Sequence, residues 1–209
     1  MPLQFAAQSL GDAHQRYALH QAWLRHSEDA IVEAHTAERL DPLSAAVLAS
    51  SAFVLYYGRR FEPAAASAKR ALELDPHFAT AHTALGLALL QQGRATDAVD
   101  ALAAAATDSG RAASTISLLA CAHAAGGRPT DAGKLLTELE TRARHGHVPD
   151  YYLALPALAL GHRDQAIAAL ERACARQAPQ LAYIGAEPML DPLREDPRFI
   201  ALLERTGLQ

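Results

Sequence analysis

Cysteine is scarce in this chain. Cys121 and Cys174 are too few for a disulfide framework and sit at no metal-binding spacing. Aromatic residues make up 6% of the sequence, and strand-forming residues are few, which argues against a sheet. There is no basic run, and the formal net charge is −4, so the electrostatic footprint of a nucleic-acid binder is missing. No apolar run approaches the roughly 18–20 residues of a membrane span. The opening MPLQFAAQSLGDAHQRY has neither a positive leader region nor an apolar stretch, so a cytoplasmic protein is expected, away from membranes.

Alanine fills the gap. Half of the residues are apolar, alanine dominates them, and its high helix propensity and small side chain favour closely packed helices. Proline and glycine recur at intervals, as punctuation between helices. The interval is regular. Leu40–Pro42 (LDP) returns as Leu74–Pro76, 34 residues later. GRATDA at Gly93–Ala98 returns as GRPTDA at Gly127–Ala132, then as GHRDQA at Gly161–Ala166. In that register Ala30, Ala64, Ala98, Ala132 and Ala166 form one column. Ala18, Ala52, Gly86, Ala120 and Ala154 form a second; Ala37, Ala71, Ala105, Leu139 and Ala173 form a third.

A 34-residue period with small-residue columns and proline stops resembles the tetratricopeptide-repeat (TPR) family. The resemblance spans residues 11–177. It implies an all-α fold: a right-handed superhelical solenoid of about five helix pairs with a C-terminal capping segment. The expected organisation is an N-terminal extension or cap over 1–10 and repeats over 11–44, 45–78, 79–112, 113–146 and 147–178. A C-terminal cap would cover 179–209. Helices are expected over 11–24, 28–39, 43–57, 61–74, 77–91, 95–107, 111–125, 129–144, 149–160 and 163–177. Gly93, Gly127 and Gly161 would stop the first helix of a pair. The stretch His145–Pro149 breaks the pattern and reads as a looser joint. In the tail, Leu193, Phe199, Leu202 and Leu203 would pack on repeat five. This tail resembles the ends of bacterial regulator-associated TPR proteins, which implies an adapter role.

The resemblance also places a concave groove on the first helix of each pair. It assigns partner contacts to Leu19 and Trp23, then to Phe53, Tyr56 and Tyr57. Thr83, Leu87, Leu90 and Gln91 follow in repeat three, Ser117 and Cys121 in repeat four, and Tyr151 and Leu155 in repeat five. TPR adapters that clamp a chaperone's terminal carboxylate use cationic and amide side chains. Here the corresponding positions hold Gln15, Leu19, Ala49, Phe53, Thr83 and Leu87, so no such clamp is expected. An apolar or amphipathic segment of a protein or peptide suits this groove better. Packing of the same aromatics into the interior is the competing expectation.

Catalysis and metal binding find little support. Among the ten histidines, His14, His20, His26 and His35 lack the i, i+4 spacing that would put two imidazoles on one helical face. Cys121 and His123 are two residues apart on a helix and face different ways. Asp97, Asp131 and Asp164 suit helix starts. No catalytic residue, cofactor or metal is therefore expected. Tyr151, Tyr152 and the Tyr183–Gly185 loop remain without a role and could border a small-molecule pocket. The leading expectation is a non-catalytic protein- or peptide-binding adapter. The alternatives are a self-association module forming a homodimer, and a small-molecule-sensing or accessory protein of a bacterial regulatory or biosynthetic system.

Overall fold

The computed structural model describes residues 2–146 and 148–208, with side chains from Leu10 onward, except that of His147. Among the described residues there is no strand. The chain forms α1 (Pro2–Trp23), α2 (Ser27–Leu40), α3 (Ala45–Tyr57), α4 (Phe61–Leu74) and α5 (Ala79–Gln91). It continues with α6 (Ala95–Asp108), α7 (Ala113–Ala125), α8 (Pro129–Arg144), α9 (Tyr151–Ala159) and α10 (Arg163–Ala175). Two short 3-10 turns, Pro179–Tyr183 and Pro188–Leu193, lead into α11 (Pro197–Thr206). Backbone helix starts at Pro2 and runs without a break into the first repeat helix.

Consecutive helices pack as antiparallel pairs, and each pair stacks on the next. Small residues allow this. Ala30, Ala64, Ala98, Ala132 and Ala166 are all fully buried, as are Ala52, Ala120 and Ala154. Gly86 shows how tight the column is: a Cβ there would lie 2.4 Å from Cγ of Leu102, which is itself fully buried.

The turn inside each pair repeats too. Arg25, Arg59, Gly93, Gly127 and Gly161 lie 34 residues apart and all have positive φ, between 60° and 82°. Each turn closes with a backbone bond from the next residue back into the preceding helix, as from Arg60 N to Leu55 O at 2.8 Å. This is the Schellman closure of a helix end. Glycine takes the left-handed conformation freely; arginine takes it at a cost of about 1–2 kcal/mol. Arg59 has a compensating role, described below.

The start of α9 is tied to the end of α10. Asp150 is buried and accepts from Arg172 Nε at 2.8 Å and Arg176 Nη1 at 2.7 Å. His147, part of the joint expected to be loose, lies outside the described residues.

Candidate binding groove

The first helices of the pairs, α1, α3, α5, α7 and α9, line the concave side. Their apolar faces leave a trough, and the chain's own tail lies in it. After α10 the backbone turns at Gln177 (φ 52°) and runs back across the trough. Tyr183 enters between three aromatic rings, 5.7 Å from Trp23, 6.0 Å from Tyr57 and 5.6 Å from Tyr151, centroid to centroid. Four residues on, Glu187 is buried and accepts from the Tyr56 hydroxyl and, at 3.1 Å, from Met189 N. Asp191 then meets Arg59, with Nη2 to Oδ1 at 2.8 Å and Nη1 to Oδ2, the two-pronged geometry that suits guanidinium and carboxylate. This ion pair offsets part of the cost of a non-glycine residue at the Arg59 turn.

The expected groove residues thus divide. Tyr56 and Ser117 are buried and line neither of the two cavities on this side. Tyr56 is covered by Glu187; Ser117 packs inward between helices. Leu19 is half-buried against the α1–α2 alanines and also lines neither cavity. Trp23 is half-buried beneath Tyr183. The others still border space. Phe53, Tyr57, Thr83, Leu87, Tyr151 and Leu155 line a cavity of about 310 Å³ with Tyr152, Tyr183 and Glu187. Thr80, Ser114 and Thr115 add hydroxyls, and exposed Thr80 marks the solvent side. Leu90, Gln91, Cys121 and Leu155 border a second cavity of about 350 Å³, closed by Pro188, Met189 and Asp191 of the tail.

Sequence reasoning did not assign Glu187, Arg59 or Asp191. A signal existed for the first: Glu187 is the only acid between Ile184 and Leu190, an otherwise apolar run. Tyr152 and Tyr183, left without a role by the sequence, do border the first cavity.

Electrostatically the groove is one buried carboxylate among phenols. Burial pushes the Glu187 carboxyl above the ordinary range, against the lowering effect of the Tyr56 and Met189 donors. Burial, and then the Glu187 charge, push the Tyr56, Tyr57 and Tyr151 hydroxyls well above theirs; Tyr183 is raised as well, by burial first. These phenols stay neutral donors. Burial likewise raises Cys121, so its thiol is protonated and a poor nucleophile. Among the described residues no group of three metal-ligating side chains comes together.

A stability consequence follows. A carboxyl whose folded-state pKa is raised keeps its proton longer when folded. Its contribution is full below the unfolded value and is lost as pH rises through the folded value. Tyr56, Arg59 and Asp191 surround this group and are the same in a Glu187→Gln variant. That variant is therefore expected to be more stable than the wild type at about pH 8 and no more stable at about pH 3.5. Urea midpoints at the two pH values check this; equal midpoints at both would contradict a raised Glu187.

Residues 52–114 match the tetratricopeptide repeat family. No curated protein matches the chain. Among solved structures it is similar to a thermophilic TPR protein in Thermus thermophilus, with TM-score 0.66 and 17% identity, covering 95% of this chain and 100% of that one. It is also similar to PilF of Pseudomonas aeruginosa, with TM-score 0.60 and 18% identity over 96% and 93% of the two chains. At these identities the likeness is one of fold. Among the described residues no helix is long and apolar enough to cross a membrane.

Proposed function

We propose that this chain, a tetratricopeptide-repeat solenoid, is a binding module that takes an apolar segment of a partner polypeptide into the concave cavity between α3, α5, α7 and α9. One observation carries the reading. The cavity combines apolar and aromatic walls (Phe53, Tyr57, Leu87, Leu118, Leu155) with a few hydroxyls at its mouth. Such a composition suits a largely pre-formed recognition site, in which apolar area supplies affinity and sparse polar groups fix orientation. The tail narrows the original trough, so the site suits one or two side chains of an extended segment better than a whole helix. With its thiol buried and protonated and its carboxylate held by structural donors, the groove is read as a recognition surface and not as a catalytic one.

Thr83 is the place to test this. Its hydroxyl donates within α5 to Ala79 O at 2.8 Å, while the side chain lines the cavity. Thr83→Phe is expected to fill the space, leave the helical content unchanged and weaken polypeptide binding by at least about tenfold, or 1.4 kcal/mol. The assay is capture from a randomised dodecapeptide display library, followed by calorimetry of the selected peptides on both proteins. Selected peptides that bind Thr83→Phe as well as the wild type would place the site elsewhere.

A further inference from the structure

Glu187 sets the chemistry of that cavity. It is 4% exposed, yet it borders the space shared with Tyr57, Tyr151 and Tyr183. Both donors that reach it among the described residues, the Tyr56 hydroxyl and Met189 N, are neutral, and both bond Oε1. Oε2 receives neither. Arg59, whose charge reaches Glu187, is held by Asp191 on two prongs, and the two act on Glu187 with opposite signs. A carboxylate buried with only neutral partners is under-compensated, and a cation brought beside it gains strongly. Rings of tyrosine around it add attraction for the same sign of charge.

The kind of cation follows from the geometry. A guanidinium seeks both oxygens of a carboxylate, but Oε1 is already doubly occupied. A quaternary ammonium has no hydrogen to donate to Oε2. A primary ammonium on an apolar stem satisfies one oxygen as a compact charge and leaves its methylenes against the ring walls.

We infer that the cavity recognises a lysine side chain of the partner segment, flanked by apolar residues, with the ammonium on Glu187 Oε2 and the stem between Tyr57, Tyr151 and Tyr183. This rests on the groove being a polypeptide site. It goes beyond that reading in naming the residue bound and making Glu187 its selector.

The test uses the full chain. Peptides selected from the randomised dodecapeptide library on the wild type are expected to be enriched in lysine between apolar residues. Replacing that lysine with norleucine, which keeps the stem and removes the charge, should weaken binding by about tenfold or more. On Glu187→Gln, which retains an oxygen for Tyr56 and Met189, the lysine and norleucine peptides should bind alike. Trp23, the single tryptophan, packs tilted against Tyr183 and reports in each protein whether the tail is seated. Peptides that bind the wild type and are blocked by Thr83→Phe, but show no lysine enrichment, would overturn the inference and leave the groove reading standing. A lysine preference that survives Glu187→Gln would also overturn it. If n-butylammonium binds as tightly as the peptides, the lysyl source is wrong and the site belongs to a free amine. If no peptide is selected on the wild type at all, the polypeptide groove fails and the inference with it.

Discussion

Phe199→Ala is expected to lower the unfolding free energy by about 3–5 kcal/mol, the range for removing a fully buried aromatic ring. Phe199 is completely inaccessible and sits in the core cluster with Leu170, Leu190, Leu193 and Leu202. Its helix, α11, is started by Pro197 and capped by Asp196, which accepts from Arg198 N at 3.0 Å, and it packs on α10. In a solenoid each unit is stabilised mainly by its neighbours, so the damage should begin at this end. The tail that fills the groove runs between α10 and α11 and is anchored at both. Loss of α11 should therefore unseat Tyr183 from Trp23 before the repeats melt. Urea titrations followed by tryptophan emission and by far-ultraviolet dichroism check this. The wild-type curves should coincide; the Phe199→Ala emission change should come first. Coincident curves in the variant would mean that the tail is held in the groove without α11.

At the other anchor, Tyr56 separates two effects of similar size. Tyr56→Phe keeps the ring and removes the donor to Glu187. Losing a hydrogen bond to an ionised acceptor typically removes about 1.5–3 kcal/mol. Tyr56→Ala removes the ring as well, and a fully buried ring packed against Tyr57 and Phe61 is expected to bring the loss to about 3–5 kcal/mol. The pH dependence identifies the hydrogen-bond part. The Tyr56 hydroxyl favours the ionised carboxylate, so the Tyr56→Phe loss should shrink as pH falls and Glu187 takes up its proton. Denaturant midpoints of both variants across the acid range measure it. A Tyr56→Phe loss unchanged by pH would place the hydroxyl's role elsewhere than on Glu187.

Much of the scaffold was legible from periodicity, because spacing alone decides which side chains share a helical face. Ala30, Ala64, Ala98, Ala132 and Ala166 are interior for one reason, repeated five times. Gly93, Gly127 and Gly161 announced their turns by being glycine. Arg25 and Arg59 make the same turn without that signal, and only their register gives them away. The groove was legible on one side only. Phe53, Thr83 and Leu87 were placed by the frame and do line the cavity. The frame could not show that Glu187, 131 residues after Tyr56, would cover that tyrosine.

What the sequence determined by itself is therefore local: helices, their pairing and the small residues that let them stack, all set by interactions within one or two repeat lengths. The tertiary structure decided what fills the concave side. Tyr183, Glu187 and Asp191 come from a tail outside the repeat, and their partners, Trp23, Tyr56 and Arg59, lie in the first two repeats. No period links the two sets. The curvature of the stacked helices does, by bringing the far end of the chain within hydrogen-bonding reach of its beginning.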